Sequence, residues 1–321
     1  MKNFYHFDPT SISDAVALLD KYGSSAQVIA GGTELLHEMK GYIKQDLPLY
    51  LVNLKNISGL DAISQDSQGL HVGPLAKLSN VASNTIVTGT WPALAQAAGS
   101  VATPEIRNLG TIGGNLCQEV WCWYFRREHD VFNCLRKGGA VCYASLGNNT
   151  YHSIFGGPKG CYAVAPSDTA VALSALGATV KTTQRTIGMN SFFLDTSPGN
   201  VLNADEIITD IVVPVPPNGA TQVFSKVRVR ESFDFAVASV GLMAAPTIET
   251  QNVTTANIYL GGVAPAPYEA KAAETALKGQ TVTSAVAANV ANAAVANAAP
   301  LGMNAYKVNI VKALVSRALL S

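Results

Sequence analysis

Gln27-Val28-Ile29-Ala30-Gly31-Gly32-Thr33-Glu34-Leu35 runs a short apolar stretch straight into paired glycines and then into a helix-forming segment. The order read from it is strand, glycine turn, helix. A residue without Cβ lets backbone N–H groups close on a phosphate from dihedrals that other residues avoid, so such a turn is a candidate pyrophosphate cradle. A second glycine turn, Thr111-Ile112-Gly113-Gly114-Asn115, follows an Ala-rich helix predicted over 91–101. Neither turn matches G-x-G-x-x-G or G-x-x-x-x-G-K-[ST], so the nucleotide folds announced by those motifs are not supported. Taken alone, either turn is also what an ordinary tight connection looks like.

Outward from these turns, Ser11 opens an amphipathic helix predicted over 11–22, and strands are predicted over 27–30, 49–54 and 70–73. Beyond residue 161 the pattern predicts a strand over 162–165, a helix over 167–176 capped by Ser167, and strands over 178–183 and 206–213. Pro214-Val215-Pro216-Pro217-Asn218-Gly219 then punctuates the chain. Proline removes ladder donors and glycine releases the chain direction, which sets a boundary between a domain of residues 1–217 and another of 218–321. The second offers three strands, over 222–230, 236–245 and 254–261, followed by Ala-rich helices over 269–277, 283–298 and 304–320.

The chain has 321 residues and 48% hydrophobic content, enough material for two cores. Its 22 Lys+Arg balance 22 Asp+Glu, so it lacks the basic footprint that a phosphate backbone or an anionic membrane selects, and no nucleic-acid partner is expected. The N-terminal residues lack the apolar region of a signal peptide, and no apolar run approaches the ~18 residues of a membrane span. A soluble protein in the cytoplasm, without membrane insertion, is the expectation.

All five cysteines fall between Cys117 and Cys161. An odd number without a signal peptide argues against a disulfide framework and for reduced thiols or thiolate ligands. The spacings are C-x4-C, C-x11-C, C-x7-C and C-x18-C, and only the Cys117/Cys122 pair comes near the short knuckle of a structural zinc site. Wide spacings let a loop wrap a larger object, and four thiolates around a [4Fe–4S] cube fit that description. Buried cysteines acting as small hydrophobes would instead be scattered through the cores.

Other residues carry two readings each. His129 and His152 are metal ligands or ordinary histidines. Trp121, Trp123, Tyr124 and Phe125 shield a cluster or pack the loop. Asp168 caps a helix or contacts a flavin or ribose, and Lys226, Arg228 and Arg230 share one strand face toward solvent or toward an anionic cofactor. No nucleophile elbow, zincin helix or paired-carboxylate arrangement marks a hydrolase.

With both glycine turns and the cysteine loop in place, the chain resembles the FAD-binding medium subunit of the molybdenum hydroxylases, the family of xanthine dehydrogenase, carbon monoxide dehydrogenase and aldehyde oxidoreductase. The residues that carry the resemblance are Ala30-Gly31-Gly32-Thr33-Glu34-Leu35, Ile106-Arg107-Asn108, Thr111-Ile112-Gly113-Gly114-Asn115, Pro166-Ser167-Asp168, Lys226-Val227-Arg228 and Gly261-Gly262-Val263-Ala264-Pro265. The resemblance implies an α+β fold: a PCMH-type (vanillyl-alcohol-oxidase-like) FAD-binding domain, then a carbon-monoxide-dehydrogenase-flavoprotein-like C-terminal domain with a three-stranded antiparallel sheet and helices.

It also implies that FAD is held by Val28, Ile29, Ala30, Gly31, Gly32, Thr33, Glu34 and Leu35 and by Thr111, Gly113, Gly114 and Asn115. Further contacts implied are Val101, Asp168, Ile208 and Lys226. The branches that resemble the 4-hydroxybenzoyl-CoA reductase beta subunit and periplasmic aldehyde oxidoreductase carry an extra loop with a [4Fe–4S] cluster. Cys122, Cys134, Cys142 and Cys161 match its ligands, and Cys117 looks like an unligated fifth. Two departures concern the flavin surroundings: many relatives have His where Ala165 stands, and Asp or Asn where Glu34 stands.

The function implied is electron transfer. A large molybdopterin-binding subunit would oxidise an aldehyde or heteroaromatic substrate, and a small subunit with two [2Fe–2S] clusters would relay electrons. This chain would pass them through FAD to an external acceptor. The alternatives are reverse flow in a reductase-like complex, a zinc-stabilised interaction module, a stand-alone flavin oxidase and export to the periplasm on a partner's signal.

Overall fold

The computed structural model describes residues 1–248 and 250–321, which form three sheets flanked by helices. In the first sheet β1 (Tyr5–Phe7), β2 (Ala26–Ile29) and β3 (Tyr50–Asn53) run parallel in the order β1-β3-β2. The crossover from β1 to β2 is the helix Ile12–Tyr22, whose Ser11 cap accepts the Asp14 N–H and which buries Ala15 and Leu19. In parallel sheets a ligand crevice lies beyond the carboxyl ends of the strands. There β2 runs out into Gly31-Gly32 before the helix Leu35–Gly41 begins.

The second sheet holds β4 (Ile63–Gln65), β5 (Gly69–Val72), β6 (Thr179–Thr182), β7 (Thr186–Gly188) and β8 (Ile208–Pro214), antiparallel in the order β4-β5-β8-β6-β7. Leu70, Val72, Val180, Ile211 and Val213 alternate onto its inner face and bury completely against Trp91, Leu94 and Ala98. Trp91 keeps its indole N–H satisfied by donating to the Pro214 carbonyl at 2.9 Å.

The third sheet is antiparallel in the order β12-β11-β10-β9, from β9 (Thr221–Val227), β10 (Ala238–Ala245), β11 (Thr255–Gly261) and β12 (Tyr268–Glu269). The expected three strands are thus four, because the two-residue β12 is too short to leave a period in the sequence. All eight residues of β10 are buried. The helix Tyr306–Leu320 covers one face of this sheet and the helix Asp168–Ala175 the other. Gly241 lets the second helix come close, since a Cβ there would lie 2.9 Å from the Val171 carbonyl oxygen. That approach seats Asp168 beside β9.

Two local expectations are corrected. The strand predicted over 162–165 does not form, because its backbone groups are spent singly on separate partners. Val164 exchanges both bonds with Trp121, the Tyr162 carbonyl accepts from Ser153, and the Ala165 N–H donates to Ala264. The second glycine turn is the start of a short helix, Ile112–Cys117, capped by the Thr111 hydroxyl. Among the described residues, 118–160 hold only isolated bridges and three single 3-10 turns, and no helix is long and apolar enough to cross a membrane.

Candidate functional site

Each glycine segment packs main chain to main chain against another stretch of the fold. A Cβ on Gly31 would lie 2.2 Å from the Leu109 carbonyl oxygen, and one on Gly113 would lie 2.9 Å from that of Pro74. These two glycines therefore serve close packing. Gly32 serves conformation, at φ 73°, and at Gly114 a Cβ would press on the Thr111 hydroxyl at 3.1 Å. No protein acceptor takes the amides of Gly31 to Glu34 among the described residues, whereas the Gly113 and Gly114 amides already donate to Pro74 O and Thr111 Oγ1. The first turn is the one with free donors.

Two clefts open on either side of this junction, one of about 580 Å³ and one of about 790 Å³, sharing Glu34 and Gln118 on their walls. Every residue matched to FAD lines one or the other. Val28, Ile29, Ala30, Gly31, Gly32, Leu35, Thr111, Gly113, Gly114 and Ile208 line the first. Thr33, Val101, Asn115, Asp168 and Lys226 line the second, and Glu34 lines both. An elongated ligand could thus lie across the Gly31–Glu34 turn with one end in each cleft.

In the second cleft Lys226 and Asp168 pair at 2.6 Å with both side chains buried, joining β9 to the helix start across the two sheet layers. Burial holds the Asp168 pKa above the ordinary range, offset by Lys226, Ser100 and Arg228. Ser167 and Thr169 both donate to Asn115 Oδ1 at 2.6 Å, which turns the Asn115 amide nitrogen away from them. Ala102, beside Val101, is held in the left-handed region (φ 42°) while Arg107 donates to the carbonyls of both residues. Trp121 and Phe235, 5.1 Å apart, close the same cleft.

Not legible in the sequence are the charges that line the first cleft. Lys44 bridges Glu38 (3.2 Å) and Glu119 (2.6 Å). Burial pushes the Glu38 pKa up to about 7, with Lys44 opposing and Glu119 and Glu34 reinforcing the rise. Although burial works against its charge, Glu119 and Glu38 hold the Lys44 pKa above the ordinary lysine value.

The five cysteines of the loop divide four to one. Cys122, Cys134, Cys142 and Cys161 converge on one small pocket walled by Phe125, Leu135, Ala144 and Ala163, while Cys117 faces the first cleft. Burial raises the pKa of Cys122, to about 12, and that of Cys134. Nearby backbone amides, of Tyr124 and Phe125 at Cys122 and of Arg136 and Lys137 at Cys134, work against that rise. Among the described residues no three His, Cys, Asp or Glu side chains stand close enough to hold a single metal ion. His129 is exposed and stacks with Tyr42, whereas His152 is buried with Nε2 3.2 Å from Cys122 Sγ. Burial lowers the His152 pKa to about 4, with Lys307 contributing, so the ring is neutral.

One ion pair ties the loop to the clefts. Glu34 accepts from Arg126 Nη1 at 3.0 Å and Nη2 at 2.7 Å, and Arg126 also donates to the Glu119 and Val120 carbonyls. A glutamate has the length for this fork.

Residues 2–216 match the family described as the FAD binding domain in molybdopterin dehydrogenase, and residues 223–321 match the CO dehydrogenase flavoprotein C-terminal domain. The chain belongs to this family of flavoprotein subunits. It is 32% identical to the aldehyde oxidoreductase FAD-binding subunit PaoB of Escherichia coli, over 89% of this chain and 88% of that protein. The carbon monoxide dehydrogenase medium chain of Hydrogenophaga pseudoflava is 27% identical over 98% of this chain and 96% of its own length. A solved structure of carbon monoxide dehydrogenase from that organism superposes with a TM-score of 0.77 at 26% identity, covering 99% of this chain and 96% of the other. The fold of this flavoprotein subunit is therefore the one that the sequence resemblance implied, and it is a subunit of an oxidoreductase.

Proposed function

We propose that this flavoprotein subunit carries electrons between FAD in the paired clefts and a [4Fe–4S] cluster held by Cys122, Cys134, Cys142 and Cys161. The observation that carries the proposal is the convergence of four of the five cysteines, and only those four, on one pocket beside the FAD clefts. The donor set fits such a cluster: four sulfurs lining one pocket whose walls are largely apolar.

The fit for FAD rests on the free amides of the first turn, the absence of a Cβ at Gly32 and Gly114, and the two joined clefts. We assign Val28 to Leu35, Thr111, Gly113, Gly114 and Ile208 to the pyrophosphate side. Val101, Asn115, Asp168 and Lys226 go to the redox end, with residues 1–217 and 218–321 as the two units that close on the cofactor. When bound, FAD supplies the exchange of electron pairs with single electrons. The chain's own residues bind it, exclude water with Trp121 and Phe235, and fix its orientation through the Asn115 amide.

The substrate reaction belongs to a large molybdopterin-binding subunit acting on an aldehyde or heteroaromatic compound. A small subunit with two [2Fe–2S] clusters links the centres, and electrons leave to an external acceptor. Anaerobic purification of the complex, with iron, zinc and flavin analysis of this separated chain, tests the proposal. About four irons and one FAD per chain is the expected result, and zinc without flavin would refute it.

A further inference from the structure

His152 is the one imidazole of the loop that reaches a cysteine of the pocket, with Nε2 3.2 Å from Cys122 Sγ and the residue 1% exposed. Its Nδ1 is buried without a hydrogen-bond partner. A proton on Nδ1 would strand a buried donor without a partner. Placing it on Nε2 satisfies it against sulfur. The ring is held there from another layer of the fold. Asn304 Nδ2 donates to the His152 and Ser153 carbonyls at 3.1 and 3.0 Å, and Lys307 Nζ donates to the Tyr151 and His152 carbonyls at 3.0 and 3.1 Å. Asn304 and Lys307 are both fully buried.

We propose that His152 donates its Nε2–H to the Cys122 thiolate and thereby raises the reduction potential of the cluster, acting as a positioning and tuning residue rather than a ligand. The proposal rests on the cluster assignment above. A donor to a ligating sulfur favours the more electron-rich, reduced cluster, and hydrogen bonds to sulfur are one of the levers that set such potentials. The Asn304 and Lys307 contacts make that lever a property of the C-terminal layer as much as of the loop.

The test compares His152→Met, of similar volume without an N–H, and His152→Gln, whose amide nitrogen reaches the place of Nε2. Both are examined in the anaerobically purified complex by EPR-monitored redox titration, with iron and flavin measured on the same samples. The Met variant is expected to keep its iron and flavin and to shift the reduction equilibrium about tenfold toward the oxidised cluster, about 59 mV for a one-electron couple. The Gln variant is expected to recover most of that shift.

An unshifted potential in the Met variant at full iron content would overturn the proposal. So would loss of iron in both variants, which would make His152 a ligand. Should the Met chain not accumulate, His152→Asn makes the same comparison, because its amide stops at the place of Nδ1. Iron analysis of the unsubstituted complex separates the two ideas. Its absence there would refute the cluster and the tuning together, whereas iron without a shift would refute the tuning alone.

Discussion

The flavin clefts and the cysteine pocket are neighbours built by opposite means. At the clefts, backbone meets backbone: Gly31 rests on the Leu109 carbonyl and Gly113 on that of Pro74, each at the end of a regular element. The cysteine loop has no α-helix of its own among the described residues, and its order is imported through side chains. Arg126 reaches Glu34, Arg136 donates to the Asp195 carbonyl, and Asn304 and Lys307 hold the carbonyls of residues 151–153. Main-chain contact fixes a shape with or without a ligand. A loop tethered by a few charged and polar side chains is a unit that can open locally.

The largest expected effect tests that independence. Cys134→Ser should take iron from about four per chain to nearly none while flavin content changes less than about twofold, and parallel loss of flavin would show that the two sites form one unit. Next, Lys226→Met leaves Asp168 as a buried carboxylate without its 2.6 Å partner. It should destabilise the chain by about 3–5 kcal/mol, seen as a lower denaturation midpoint at pH 7, with iron retained in the folded fraction.

Gly31→Ala drives a Cβ into the Leu109 carbonyl oxygen. A cost of about 1–3 kcal/mol is expected, together with at least about tenfold weaker FAD binding by fluorescence titration as the first turn shifts. Full flavin occupancy at limiting FAD would contradict the backbone-built cleft.

The smallest effect concerns Glu38, which faces Lys44, Glu119 and Glu34. Its folded pKa of about 7 lies above the unfolded carboxylate value, so the folded state holds the extra proton and stability falls as pH rises from about 4.5 to about 7. Glu38→Gln should flatten that slope by about 1 kcal/mol or more, measured by denaturant unfolding at several pH values. An unchanged slope would remove Glu38 as its source.

Much of this was legible in the chain because the features are local. Ser11 and Ser167 cap the helices that they were expected to cap, and β9, β10 and β11 leave clear apolar runs. The glycine turns and the cysteine order placed every matched residue at a cleft or in the pocket. What escaped were features defined only by a distant partner. The three-residue β1 exists because it pairs with β3, and β12 because it pairs with β11. Apolar residues 162–165 pass for a strand until their hydrogen bonds are followed to three different partners. The burial of His152 depends on Asn304 and Lys307, more than a hundred residues away. That Gly31 and Gly113 also pack tightly against the Leu109 and Pro74 carbonyls was likewise visible only once those partners were in place.

The fork between Glu34 and Arg126 has a consequence for descent. One partner belongs to the first glycine turn and the other to the cysteine-bearing excursion. A lineage that sheds the excursion while keeping glutamate at position 34 leaves a carboxylate without its counter-ion at the lip of both clefts. A lineage that shortens residue 34 first leaves Arg126 reaching for nothing at the mouth of the loop. Each of the two positions therefore constrains what the other can tolerate.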